Sequence, residues 1–349
     1  MSQKKSKLEA DQQRLVEYLN SFDGKTSFPR VTCCNSSRSL YCKECCRLLV
    51  PDDVLPDSIS LRREVNSVGS NSDTTDTDDN RRRPLKLPFN LHIVLDDRRG
   101  SATGLHAVAL LNNEEEHFES NHDFGSVKLI DIANGDDIAI YYDYERSIPE
   151  EDNNSIDPVE QPETVFLLFP APGESVPIES VAQQLETLVV LDCKWTKSSL
   201  CRKNANLMKL KKVHLSNTYT THYWRWHNAG DGCVSTIEAI YYAAMEVSEQ
   251  KFKQEQALQQ TSTLEGHLAD QRNLMHLLWL FGHQRAATLQ AAERDGKPAP
   301  GTDEAKELAR ALRKQKGEYA WRAERNKEIG KILKEECRRM KELSLNDKE

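Results

Sequence analysis

Asp192-Cys193-Lys194-Trp195 follows directly on the apolar run Thr187-Leu188-Val189-Val190-Leu191, so a carboxylate and an indole emerge together where a strand ends. A carboxylate in that place can serve as a general base, accept a hydrogen bond from a ligand amine, or cap the segment that follows. A second apolar run, Val165-Phe166-Leu167-Leu168-Phe169, ends in Pro170-Ala171-Pro172-Gly173. Such a turn is rigid, and it can bring the backbone N–H groups of Gly173, Glu174 and Ser175 close to a ligand. A third segment, Ser235-Thr236-Ile237-Glu238-Ala239, opens a helix, and Ser235 with Glu238 has the spacing of a capping box. That spacing is structurally complete without any chemistry. Trp224-Arg225-Trp226-His227 joins aromatic faces to positive charge, which suits stacking on a base beside a phosphate or carboxylate contact.

Near the N-terminus, Cys33, Cys34, Cys42, Cys45 and Cys46 put five thiols into a short run. The Cys42 to Cys45 spacing matches half a zinc knuckle, and Cys33, Cys34, Cys42 and Cys45 together would make a closed structural site of four thiolates. The competing reading is a group of reduced, partly buried thiols. The first six residues lead into no apolar stretch of the secretory kind, so the expected location is the nucleus or the cytoplasm, where thiols stay reduced. No apolar stretch is long enough to suggest a membrane span.

The elements that must position these residues alternate along the chain. Residues 91–95 read as a strand, 103–111 as a helix, and 127–132 and 137–141 as strands. Then come the strand at Val165, a helix over 178–185 and the strand at Thr187. This order predicts an α/β fold with a mostly parallel sheet flanked by helices. Helices over 235–249 and 265–290 would cover the sheet. Both parallel strands of the 165–191 unit finish on one edge, outside which open α/β sheets bind ligands. The chain divides into an N-terminal helix within 1–25, a Cys-rich segment 26–56, a polar linker 57–83, a main domain 84–293 and a charged helical extension 294–349.

The net charge of -8 is unevenly distributed. Residues 191–227 carry eight basic side chains against one acid, a net +7 that leaves -15 elsewhere. The window holds Lys194, Lys197, Arg202, Lys203, Lys211 and Lys212 and runs into Trp224, so it reads as an anion- or RNA-binding surface, with a plain solvated face as the alternative.

In their order, Phe169 to Gly173, Asp192 to Trp195, Tyr223-Trp224-Arg225 and Ser235 to Tyr242 resemble the DTW-domain family of tRNA-uridine aminocarboxypropyltransferases. The resemblance also takes in Cys34 with Tyr41-Cys42-Lys43-Glu44-Cys45, residues 88–94 and Leu105-His106-Ala107. It leaves out the C-terminal extension. It implies a SPOUT-like α/β fold, a knotted form included, with S-adenosylmethionine as donor. The reaction it implies is transfer of the 3-amino-3-carboxypropyl group to N3 of a uridine in the D-loop of a tRNA, giving acp3U and 5'-methylthioadenosine. Mapped onto this sequence, Asp192, Trp195 and Arg225 become the catalytic residues, with Asp192 as base and Arg225 as cation for the methionyl carboxylate. Phe169, Pro170, Pro172, Gly173, Asp192, Ser235, Thr236 and Glu238 would hold the donor. Two departures stand out. Lys194 occupies the place of the signature Thr, and Val31 the place of the first cysteine, which Cys33 would replace as ligand. An RNA methyltransferase and a noncatalytic RNA-binding protein are the alternatives.

Overall fold

The computed structural model describes residues 2–24, 26, 28–60, 83–111, 125–132, 163–193, 204–224, 233–258, 263–299 and 302–315. The chain divides into two compact units, Met1–Tyr223 with His227–Ala287, and Trp224–Trp226 with Thr288–Glu349.

In the first unit, α1 (Ser2–Asn20) leads to a hairpin of β1 (Val31–Cys33) and β2 (Ser36–Arg38). Its two central residues, Cys34 and Asn35, both have positive φ (45° and 59°), the backbone that a two-residue hairpin turn demands. The sheet is then laid down by β3 (Asn90–Leu95), α2 (Leu105–Leu111), β4 (Val127–Asp131), β5 (Val165–Leu168), β6 (Ser175–Pro177), β7 (Thr187–Asp192), α3 (Ala205–Lys209) and β8 (Lys211–His214). After it come α4 (Thr236–Ala257), α5 (Leu264–Leu274) and α6 (Trp279–Arg294), the last of which carries the chain into the second unit, where α7 (Asp303–Gln315) lies.

The six strands run in the order β4-β3-β7-β5-β8-β6, and every neighbouring pair is parallel. Both faces are covered, which is why the central strands are nearly continuous apolar runs. On one face Val94, Ile130, Leu167 and Val189 pack with Leu207 and Leu210 around α3. The opposite face carries Leu91, Ile93, Leu188, Val190 and Phe166, all buried. The chain steps outward from β3 to β4, starts again at β5, and returns to insert β7 between β3 and β5. That reversal sets the carboxyl ends of β3, β7 and β5 side by side, the switch point at which open parallel sheets take their ligands.

Several expectations change. The helix foreseen over 178–185 is instead a single 3-10 turn, Ile178–Val181, followed by turns, and the short strand β6 precedes it. Pro177 cannot donate to a ladder, and among the described residues β6 is accordingly an edge strand, paired to β8. The helix foreseen over 265–290 is interrupted by a 3-10 turn, Met275–Leu278, where His276 Nδ1 meets Ser58 Oγ at 2.7 Å. β8 lies inside the basic window, with Val213 its one fully buried residue. The helix expected to end at 249 continues to Ala257, and in the C-terminal extension Asp303–Gln315 is helical. The strand foreseen over 137–141 and most of the linker lie outside the described residues.

α4 straps down the loop that leaves β8. Glu246, 5% exposed, accepts bonds from the N–H groups of Ser216 (2.8 Å) and Asn217 (3.1 Å), from Asn217 Nδ2 (2.8 Å) and from the Tyr219 hydroxyl (2.8 Å). Tyr219 also stacks on Tyr242, centroids 3.7 Å apart. Glu246→Leu leaves these donors facing apolar neighbours and is expected to destabilise the fold by about 3 kcal/mol in urea unfolding. A loss under about 0.5 kcal/mol would show that the carboxylate is not what holds the loop.

Candidate functional site

Asp192 is the last residue of β7, on the face that carries Leu188 and Val190, and it is only 5% exposed. Its Oδ2 accepts the Gly104 N–H at 2.6 Å, and its Oδ1 accepts the Thr236 hydroxyl at 2.9 Å. Its backbone carbonyl accepts the Asp96 N–H at 3.1 Å. One residue thereby joins the end of β7, the loop after β3 and the first turn of α4. Burial is the main influence on its acidity and pushes the carboxyl up, to about 6. The Gly104 and Thr236 bonds pull the other way, and nearby Asp97 adds to the rise. The position before α2 has to be glycine, because a Cβ on Gly104 would lie 2.7 Å from Asp192 Oδ2 and 3.1 Å from Ile93 Cγ2.

Glu238, fully buried, is a second hub two residues past Thr236. Its Oε2 accepts Ser235 N (2.9 Å), Ser235 Oγ (2.6 Å) and Thr221 Oγ1 (2.8 Å), while Oε1 accepts His222 N at 2.6 Å. The capping-box reading of Ser235 and Glu238 therefore describes what their polar atoms do. Of Ser235, Thr236 and Glu238, foreseen as donor-binding, Thr236 is the one bonded to Asp192.

Beyond β5, Phe169 is half-buried and Pro170, Pro172 and Gly173 are exposed. Gly173 has φ +77°, and nothing lies within 4 Å of where its Cβ would be, so the backbone is open to close approach. The expectation that Glu174 and Ser175 offer N–H groups to a ligand does not hold as stated: both donate to Ala171 O at 3.0 Å, closing the turn on itself. Ser175 Oγ contacts Ala171 N (3.1 Å) and His214 Nδ1 (3.0 Å) as well. β5 and β7 are adjacent, with Leu168 opposite Val190, so this turn and Asp192 share one sheet edge.

The basic residues fare differently. Lys211 is exposed on β8. The Lys212 side chain is only 9% exposed, with Nζ 3.3 Å from both Glu174 Oε2 and Met208 O, so it ties the β5 turn to α3. Trp224 belongs to the second unit. Trp195, Arg225, Lys194, Lys197, Arg202 and Lys203 lie outside the described residues. Sequence reasoning missed Gly104 and the run Asp96-Asp97-Arg98-Arg99-Gly100, although a charged run directly after an apolar strand is the same signal that singled out Asp192.

The four cysteines foreseen as ligands converge. The Sγ atoms of Cys33, Cys34, Cys42 and Cys45 all lie within 4.8 Å of one another, with Cys33 to Cys45 at 3.5 Å and Cys33 to Cys34 at 3.9 Å. A tetrahedral zinc with Zn–S bonds of about 2.3 Å sets its sulfurs about 3.8 Å apart, so the donor set fits that ion. Cys46 stands aside, buried at φ 59°, its thiol pushed up to about 11 by burial. Burial opposes ionisation at Cys42, but the backbone N–H groups of Cys45 and Glu44 bring its thiol down to about 7.

A family model described as the DTW domain matches residues 97–297. A solved structure described as the SAM-dependent rRNA:acp-transferase Tsr3 from Vulcanisaeta distributa is similar at 16% identity, covering 65% of this chain and 98% of that one, with a TM-score of 0.27. No curated protein matches by sequence.

Gly104→Ala drives a methyl group against the buried Asp192 carboxylate and the Ile93 side chain, and is expected to destabilise the fold by about 2 kcal/mol in denaturant unfolding. Protein purified without chelator should hold close to one zinc per chain by elemental analysis, falling well below that in Cys42→Ser. Zinc absent from the unaltered protein would remove the metal reading.

Proposed function

We propose, from the premise that this chain belongs to the DTW-domain family, that it transfers the 3-amino-3-carboxypropyl group of S-adenosylmethionine to N3 of a uridine in RNA, with the D-loop of a tRNA as substrate. A SPOUT-like arrangement of the sheet belongs to the same reading. The observation that carries it is the Asp192 carboxylate: buried, raised to about 6, and held by two donors at the sheet edge where a ligand is expected.

The donor supplies a sulfonium whose three attached carbons are all electrophilic, so the protein selects the outcome by which carbon it aligns with the attacking nitrogen. Bond making from N3 to the aminocarboxypropyl carbon accompanies cleavage of that carbon's bond to sulfur, and the electron pair neutralises the sulfonium. The N3 proton must leave at the same stage. Asp192 is the proposed acceptor, a reading supported by its two oxygens each accepting one bond, which leaves each a second lone pair. The open backbone at Gly173, beside Phe169, Pro170 and Pro172, suits the adenosine portion. Arg225 is the cation proposed for the methionyl carboxylate, and Trp195, with Trp224 and Lys194, Lys197, Arg202, Lys203 and Lys211, completes the proposed contacts to substrate. The zinc of the cysteine centre is structural in this scheme, since four thiolates leave it no open position.

The pH dependence has a definite sign. A base must be deprotonated to act, so kcat/KM should rise with pH through about 6 and level off above it. Asp192→Asn should lower turnover of a tRNA substrate by at least about a hundredfold and abolish that rise. The products decide the class: 5'-methylthioadenosine with acp3U is expected, S-adenosylhomocysteine would mean methyl transfer, and donor binding without turnover would mean a noncatalytic protein. Unchanged acp3U formation by both Asp192→Asn and Arg225→Ala would sink the mechanism.

A further inference from the structure

The Arg99 side chain joins the cysteine centre to the Asp192 edge. Arg99, in the loop after β3, donates from Nε to Asp131 Oδ2 at 2.8 Å, with Nη2 2.5 Å from the same oxygen. Its Nη1 donates to the carbonyls of Lys43 (3.0 Å) and Glu44 (2.5 Å), the two residues between Cys42 and Cys45. The pair is largely enclosed, the side chains being 18% and 6% exposed. Lys43 answers from the other side, Nζ donating to Gly100 O at 3.0 Å.

The loop so gripped is the one that holds Asp192. Its first residue, Asp96, donates its N–H to the Asp192 carbonyl, and Gly104, at its far end, donates to the Asp192 carboxylate. Between them the loop is tied to itself: Arg98 N to Asp97 Oδ1 at 2.8 Å, Ser101 N to Arg98 O at 2.8 Å, and Ser101 Oγ to Asp97 Oδ2 at 3.1 Å. It can therefore move as one piece. A second contact continues past Gly104, where the buried Tyr41 ring meets His106 of α2 edge-on, centroids 5.4 Å apart.

We propose that Arg99 is a positioning residue through which the metal-loaded cysteine centre braces the loop holding Asp192, an inference that rests on the reading of Asp192 as base. Drawing Cys42 and Cys45 onto one ion fixes the peptide groups between them, and so fixes the two carbonyls that Arg99 needs. Without the ion that turn relaxes, and a largely enclosed guanidinium loses the two carbonyl acceptors that anchor it. The carbonyl face of the centre is thus turned toward the protein's own sheet edge, which assigns the metal an internal bracing task in place of an RNA grip.

The test is backbone-amide hydrogen exchange at residue resolution on the full chain in four forms: zinc-loaded, chelator-stripped, and zinc-loaded Arg99→Gln and Arg99→Gln/Asp131→Asn. The double variant guards against a misfolded single one, because it leaves no buried carboxylate without its guanidinium. Expected is exchange at least about tenfold faster at Gly104 and Asp96 in the stripped protein and in both variants, with the amides of Val189 and Val190 unchanged and zinc still near one per chain in the variants. Wild-type protection at Gly104 and Asp96 in the stripped protein and the double variant overturns the proposal. Acceleration spread equally over Val189 and Val190 overturns it too, since Arg99 would then be a general stability element. Asp192→Asn assayed alongside keeps the two ideas apart: normal turnover with a responsive Gly104 amide removes the base assignment and leaves the brace standing.

Discussion

A carboxylate that is 5% exposed and yet central to a sheet edge needs donors, and the two that Asp192 finds come from segments 88 and 44 residues away. Burying such a group without partners would cost several kcal/mol, so the requirement disciplines everything around it. It puts a glycine at 104, since no Cβ fits beneath the carboxylate, and a hydroxyl at 236. It fixes where α4 begins, and α4 in turn holds the chain that follows β8 with Glu238 and Glu246. The path from β8 toward Tyr223 is thereby set by the helix whose first turn serves Asp192. A site of this kind is placed by the fold's own polar accounting, and its shape does not wait on a ligand.

What was legible in the sequence was legible for a physical reason. Strands buried on both faces must be apolar throughout, so β3, β5 and β7 declare themselves, and their parallel order puts Asp192 and the Pro170 to Gly173 turn on one edge. The convergence of four cysteines was readable in part from spacing, because a Cys-x-x-Cys turn fixes two sulfurs locally and the short hairpin of β1 and β2 returns the other two. The misses are equally physical. β8 shows little apolar pattern, since Lys211 is exposed and Lys212 satisfies its ammonium against Glu174 and Met208 while lying on a strand. β6 goes unread because three residues of edge strand are too short to show alternation. The break at Met275–Leu278 depends on Ser58, more than two hundred residues earlier, and no local pattern reports it. Gly104 looks like any loop glycine until the carboxylate above it is seen.

The cysteine centre changes meaning once its surroundings are known. Read alone, it is a small closed metal site suited to stiffening an N-terminal segment or touching RNA. In place, the carbonyls of its central turn are the acceptors of Arg99, and Arg99 belongs to the loop that carries Gly104. Stiffness is most useful where a reactive group must be held to a fraction of an ångström. A loop with two N–H groups aimed at one aspartate is such a place.

The substitution of Lys194 for the family's signature Thr bears on the same carboxylate. A hydroxyl two residues beyond an aspartate is an obvious candidate to orient it, and its loss would then release the aspartate and idle the site. Here both donors to the Asp192 carboxylate come from elsewhere, Gly104 and Thr236, and neither depends on what stands at position 194. The replacement therefore leaves the buried carboxylate satisfied. What changes at position 194 is one formal charge, two residues along the chain from a carboxylate raised in pKa by burial. A positive charge brought close would favour the ionised carboxylate and lower its pKa, opposing the effect of burial, and would favour an anionic substrate by the same Coulombic attraction. The bonds that hold the Asp192 carboxylate are therefore those of Gly104 and Thr236, supplied by other segments of the chain.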